Sequence, residues 1–209
     1  NFKESYPANV KRLEIFLSLI KKYKPKKIID AGCGSGMPLI NIKKKGFNIT
    51  GYDKAYNMVK LAKNNLKSNN LKESLIEIGD FENPKHIKNN SVDCILGMGT
   101  FYYSKKFTKT LKNQRKKLKK NGHLIFSLRN KLFDISTLND YSIKFYSYLY
   151  GINKFKPKIQ KNFLKLFKGY TNRKKFSLKN MDDHNVFSKT HNPITIEKEV
   201  LAKVGLKLN

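Results

Sequence analysis

The chain has no tryptophan, two cysteines, and four arginines among 44 basic residues; only 15 residues are acidic. The cysteines, Cys33 and Cys94, stand far apart with no metal-ligand spacing, which excludes a disulfide framework and a zinc site and leaves two reduced thiols. No run of about 18 apolar residues occurs, so no segment reads as a membrane-spanning helix. No basic-then-apolar leader occurs either, and the expected location is cytoplasmic. The scarcity of acids gives a formal net charge of +29. Such a balance suits polyanion binding. However, the basic residues are mostly lysines dispersed along the whole chain, and Asn, Ile, Phe and Tyr are also abundant. We therefore read the charge first as a solvated surface set by composition, with a polyanion-binding face as the alternative. The chain opens at Asn1 without Met and stops at Leu206-Lys207-Leu208-Asn209 where a strand is expected to begin, so it reads as trimmed at both ends.

What is present is concentrated near residue 30. Lys27 to Ala31 is a short apolar run carrying Asp30, and it opens into Gly32, Gly34 and Gly36 at alternate positions, with Cys33 between the first two. A second run, Phe47 to Tyr52, ends in Asp53. Strand, glycine turn, helix, strand and acid form the nucleoside-binding layout of a doubly wound α/β sheet. Glycines let a ligand approach the backbone closely, and an acid at a strand's carboxyl end can accept hydrogen bonds from ribose hydroxyls.

The rest of the pattern alternates. Val10, Leu13, Phe16, Leu17 and Ile20 predict an amphipathic helix over 9–23. A helix is predicted after Pro38, stopping at Gly46, and another over 55–68 with Met58, Leu61, Ala62 and Leu66 facing inward. Strands are predicted at 75–79, 92–96 and 123–128, with Asn121-Gly122 as the turn into the last, and a lysine-clad helix over 104–119. Five strands alternating with helices predict a parallel sheet with right-handed crossovers. From 130 to 192 the alternation stops. One helix carrying Leu138, Tyr141, Phe145, Tyr148 and Leu149 is expected, then aromatics spaced by lysines, together a cap over the sheet's carboxyl edge. A last helix is predicted over 195–206, with Thr195 as N-cap and Gly205 as its stop. We expect a single domain, 1–209, with a cofactor-binding core at 26–129 and the cap at 130–192.

Asp30 to Gly36, Asp53, Asp80-Phe81 after the third strand and Gly97-Met98-Gly99 after the fourth together resemble the class I S-adenosylmethionine-dependent methyltransferases. The resemblance covers about 26–129. It implies a Rossmann-like, mainly parallel sheet of the seven-stranded type, here lacking its C-terminal hairpin, and S-adenosyl-L-methionine as cofactor. By that resemblance Asp30 orients the glycine turn and the cofactor's amino end, and Gly32, Cys33, Gly34 and Gly36 cradle it. Asp53 holds the ribose, Asp80 and Phe81 the adenine, and Gly97 and Met98 line the methionine side. A dinucleotide oxidoreductase would also use Asp53, but its third glycine belongs at residue 37, where Met37 stands.

Methyl transfer needs alignment of nucleophile, methyl carbon and sulfur, and at most a base for the acceptor. Asp183-His184 supplies a candidate general base with an orienting acid, against the alternative of hydrogen-bonded loop residues. Tyr102, Arg129 and His191 are candidate acceptor contacts; no metal is expected. No Asn/Asp-Pro-Pro-aromatic follows the fourth strand and neither cysteine sits in a loop of its own, which disfavours adenine amino methylation and carbon methylation of pyrimidines. An oxygen or nitrogen atom of a small molecule or sugar is the expected acceptor. An RNA methyltransferase binding through the basic, aromatic cap and a noncatalytic cofactor-binding module are the alternatives.

Overall fold

A computed structural model of the chain describes residues 7–131, 140–170 and 189–208. The chain divides into two compact units, residues 1–128 with 197–209, and residues 129–196.

In the first unit the elements run α1 (Pro7–Tyr23), β1 (Ile28–Ala31), α2 (Met37–Lys44), β2 (Ile49–Asp53), α3 (Tyr56–Ser68), β3 (Ile76–Ile78), β4 (Val92–Gly97), α4 (Phe107–Lys117) and β5 (Leu118–Phe126). The strands form one parallel sheet in the order β3-β2-β1-β4-β5. Every residue of β1 is buried, as a strand covered on both faces requires. Alternation along the strands sends Ile28, Cys94 and Leu96 into a core shared with Phe16 and Ile20 of α1, Leu39, Ile40 and Ile42 of α2, and Val59, Ala62 and Leu66 of α3. Ile29 and Ile95, one residue out of phase, are equally buried and face the other way. A chain of rings, Phe81, Phe101, Phe126 and Phe107, links neighbours at centroid distances of 6.0, 5.6 and 6.3 Å. Pro38 stands in the first turn of α2 and Gly46 follows its end with φ 88, both as expected.

Four expectations are corrected. The buried face of α3 is Val59, Ala62 and Leu66, while Met58 and Leu61 are each 44% exposed; apolar character alone did not set the helix's rotation. β5 begins at Leu118, directly after α4, so Asn121-Gly122 does not introduce the strand. Its register against β4 jumps from Val92↔Leu118 to Cys94↔His123, and Asn121 takes φ 62 within that irregularity. The last helix is a π-helical turn, Glu197–Leu201, tightening into a 3-10 turn, Ala202–Val204. Gly205 stops it with φ 72 as expected, and in the turn ahead of it Asn192 Oδ1 accepts from the Ile194 N–H at 3.0 Å. Leu206 to Leu208 form no strand.

The second unit holds β6 (Arg129–Asn130), α5 (Asp140–Leu149), α6 (Pro157–Tyr170) and β7 (Thr190–His191); β6 and β7 pair in parallel. Among the described side chains of α5, Ile143 is buried and Phe145 half-buried, whereas Tyr148 and Leu149, expected inward, are exposed; Leu138 and the Tyr141 side chain lie outside the described residues. None of the described helices is long and apolar enough to cross a membrane.

Candidate cofactor site

In the sheet order, β1 feeds β2 on one side while β4 lies on its other side. The carboxyl ends of β1 and β4 therefore flank the point where the winding reverses, the position at which doubly wound sheets open a crevice. A cleft of about 270 Å³ lies there. It is lined by residues 32–35 and Pro38 after β1, Met98 to Thr100 after β4, and Asn9, Arg12 and Leu13 of α1. A larger hollow, about 490 Å³, is lined by Asn90, Arg115, residues 118–123 and residues 205–207. It lies toward the amino ends of β4 and β5, away from the edge at which such sheets place ligands.

The three glycines of the turn all have positive φ, 76 at Gly32, 52 at Gly34 and 75 at Gly36, but only one faces open space. A Cβ at Gly32 would overlap Thr100, whose Oγ1 donates to the Gly32 carbonyl at 3.1 Å. A Cβ at Gly36 would stand 2.9 Å from Ile76 Cδ1 and 3.2 Å from Ala62 Cβ, so this glycine lets α2 start tightly against α3 and β3. At Gly34 nothing lies within 4 Å. Its N–H donates to Asp53 Oδ2 at 2.8 Å, and Asp53 Oδ1 accepts from the Ala55 N–H at 2.9 Å. Each carboxylate oxygen accepts one such bond and keeps a lone pair for a ligand.

Asp30 is 1% exposed, and its Oδ1 has no hydrogen-bond partner among the described residues. Burial, and secondarily the charge of Asp53, push its carboxyl up to about 7. Cys33 lines the cleft, but burial raises its thiol far above the ordinary range; Cys94, also buried, is pushed up to about 12. Neither is a nucleophile at neutral pH.

The cleft thus joins Gly32, Cys33, Gly34 and Met98, with Asp53 hydrogen-bonded to its wall. Gly97 packs its open side against Phe101 and does not line it. Asp80 caps its own loop, Oδ1 accepting from the Glu82 N–H at 2.8 Å, while Oδ2 meets Lys54 Nζ at 3.3 Å. The Phe81 carbonyl accepts from buried Gln114 at 2.6 Å, and Gln114 also donates to the Tyr52 hydroxyl. Tyr102 is 8% exposed, with its hydroxyl beside Gly99. Arg129, exposed, and His191, buried, pair their strands in the second unit. Asp183 and His184 lie outside the described residues.

Three contributors were not foreseen. Thr100 shapes Gly32, Ser127 Oγ accepts from the Gly99 N–H at 2.8 Å, and Arg12 reaches the cleft from α1. Thr100 directly follows a motif already singled out, and Arg12 is a rare arginine in a lysine-rich chain; both were visible signals.

A crevice at the reversal point, an open glycine turn and a strand-end acid define a nucleoside-binding α/β domain. A family profile described as a methyltransferase domain matches residues 22–169, and the chain belongs to that family, the class I S-adenosylmethionine-dependent methyltransferases. Its cofactor is S-adenosylmethionine. The residues fit it: Asp53 keeps acceptors for the ribose, Gly34 leaves room, and the orphaned Asp30 oxygen suits a cationic amine. Among solved structures, the Pyrococcus horikoshii PH0226 protein is similar at 21% identity and TM-score 0.53, over 64% of this chain and 62% of that one. The Bacillus subtilis YcgJ protein is similar at 15% identity and TM-score 0.51, over 62% and 58%. The MccD protein is similar at 16% identity and TM-score 0.50, over 63% and 60%. At these identities they show the shared fold. The chain spans less than two thirds of each of those three proteins. A search of curated proteins finds no match.

Proposed function

We propose that this chain transfers the methyl group of S-adenosylmethionine to an oxygen or nitrogen atom of a small molecule or sugar. The observation that carries the proposal is the open face of Gly34 beside an Asp53 carboxylate that retains acceptor capacity. The cofactor supplies a methyl group activated on a sulfonium sulfur. In this reading Gly32, Cys33 and Gly34 hold the cofactor's methionine end by backbone approach, Met98 and the Gly97 turn flank it, and Asp30 orients its amine. Gly36 acts by fixing α2. Asp53 holds the ribose, and Asp80 and Phe81 border the adenine. Tyr102, Arg129 and His191 are proposed acceptor contacts. His184, oriented by Asp183, takes the proton that the acceptor's oxygen or nitrogen loses as its lone pair bonds the methyl carbon. The buried, strongly protonated thiols of Cys33 and Cys94 argue against carbon methylation through a cysteine adduct.

One observation favours a second reading. In the second unit, exposed Tyr148 and Tyr150 shortly precede, and exposed Phe155 lies between, lysines of the run Lys154, Lys156 and Lys158, residue types that stack on and neutralise a single RNA strand. Transfer from isotopically labelled cofactor into separate pools of small metabolites and total RNA distinguishes the two. Label in the small-molecule pool is expected, and label confined to RNA selects the second. With the labelled acceptor in hand, His184→Ala is expected to lower kcat about 10²-fold or more; unchanged turnover removes His184 as base.

A further inference from the structure

Six exposed large apolar side chains occupy one stretch of the second unit. Tyr148, 86% exposed, and Leu149 end α5, Tyr150 follows it, Phe155 lies in the connection, and Ile159 and Leu164 stand on α6. The connection has a fixed shape: Gly151 takes φ 58 and opens a 3-10 turn, Ile152–Lys154, and Gln160 of α6 donates back to the Asn153 and Phe155 carbonyls at 3.2 and 2.8 Å. Lys154, Lys156, Lys158, Lys161 and Lys165 are exposed along the same stretch and make no ion pair among the described residues. No acid occurs in the sequence between Asp140 and Asp182. Charge alone does not mark the stretch, since residues 94–131 also lack acids; there, however, Tyr103 is the one large apolar side chain exposed among the described residues. The coincidence of unpaired cations with exposed apolar groups is what marks it.

We propose that the α5–α6 hairpin docks on an anionic lipid surface, its apolar side chains entering the acyl boundary while the lysines meet the headgroup phosphates. Such a surface offers hydrocarbon directly beneath negative charge, the complement of what the hairpin presents. Lys158, Lys161 and Lys165 share one side of α6 at helical spacing, and Ile159 projects away from that side, the division an interfacial helix needs. Lysine stems lie along apolar surface and carry the ammonium groups up to the phosphates. A single RNA strand fits less well. Tyr148, Tyr150 and Phe155 can stack on bases, but Leu149, Ile159 and Leu164 have no ring to stack, and the described hairpin carries lysine without arginine. None of the described helices is long and apolar enough to cross a bilayer, so the hairpin lies on the surface. The proposal stands independently of the methyl-transfer reading.

The test sediments the chain with vesicles of phosphatidylcholine alone and of phosphatidylcholine mixed with phosphatidylserine. The expected result is retention on the mixed vesicles that weakens about tenfold or more on phosphatidylcholine alone and falls with added salt. Leu149→Ser combined with Ile159→Ser, and separately Lys156→Glu combined with Lys158→Glu, are each expected to weaken retention about tenfold. Lys112→Glu combined with Lys116→Glu makes the same charge change on exposed positions of α4, and is expected to weaken it less than about twofold. Because the chain has no tryptophan, Tyr148→Trp supplies a single reporter, whose emission is expected to move to shorter wavelength on the mixed vesicles. Equal weakening by the two lysine pairs overturns the proposal, since net charge alone would then hold the chain. Undiminished retention of the serine variant, or unmoved emission on bound vesicles, overturns it as well. Failure to bind either vesicle overturns it too, and retention on single-stranded RNA that needs Lys156 and Lys158 would then assign the hairpin to RNA.

Discussion

Three glycines that look equivalent in sequence have three different jobs. Gly32 makes room for Thr100, Gly36 lets α2 meet Ala62 and Ile76, and Gly34 alone opens onto space. Gly34→Ala is accordingly expected to cost about 1–2 kcal/mol, the price of a side chain at positive φ, while abolishing measurable binding of adenosylhomocysteine. Gly36→Ala carries the same backbone strain plus its contacts and is expected to destabilise more, about 2–4 kcal/mol; chemical denaturation of both variants checks the order. Asp30 gives a pH signature. Its folded carboxyl titrates near 7 while an unfolded aspartate titrates near 3.8. Between those values the unfolded chain binds fewer protons, so this group's contribution to stability is undiminished below about pH 4 and falls as pH rises to about 7. Asp30→Asn removes that loss, on the order of 4 kcal/mol at most. Urea midpoints of the variant relative to the unaltered chain are expected to rise from pH 4 to pH 8; a constant difference contradicts the assignment.

At the scale of elements, strand order and helix alternation were legible because parallel strands are written as short apolar runs between glycine, proline and asparagine punctuation. Rotation and register were less so. Met58 and Leu61 are as apolar as their neighbours, and only packing against β3 and α2 selects Val59, Ala62 and Leu66. Leu66→Ala is expected to cost about 2–5 kcal/mol and Leu61→Ala under 1; thermal melts of the pair test that rotation, and equal losses would restore the face first expected. The β5 irregularity was hidden because Asn121-Gly122 reads as a turn, and a bulge within a strand uses the same residues. The family was readable for the converse reason, since four short motifs in a fixed order after successive strands narrow the reading even though each residue type alone has several uses. Arg12 escaped that reading because its partner cleft lies far away in sequence and meets it only in three dimensions.

For the molecule as a whole, a net charge of +29 says little about the reaction; the cleft at the sheet's reversal point says more. The side chains that pair with or border that cleft come from α1, the β1, β2 and β4 ends and Ser127 after β5, so cofactor binding reports on the assembled fold of the first unit rather than on any one motif. The central claim, that the chain's open glycine turn and Asp53 hold S-adenosylmethionine, is tested most directly by calorimetric titration of adenosylhomocysteine into the chain and into Asp53→Ala. One-site binding that Asp53→Ala weakens at least about tenfold is predicted; no heat with the unaltered chain, or equal affinity in the two proteins, would contradict it.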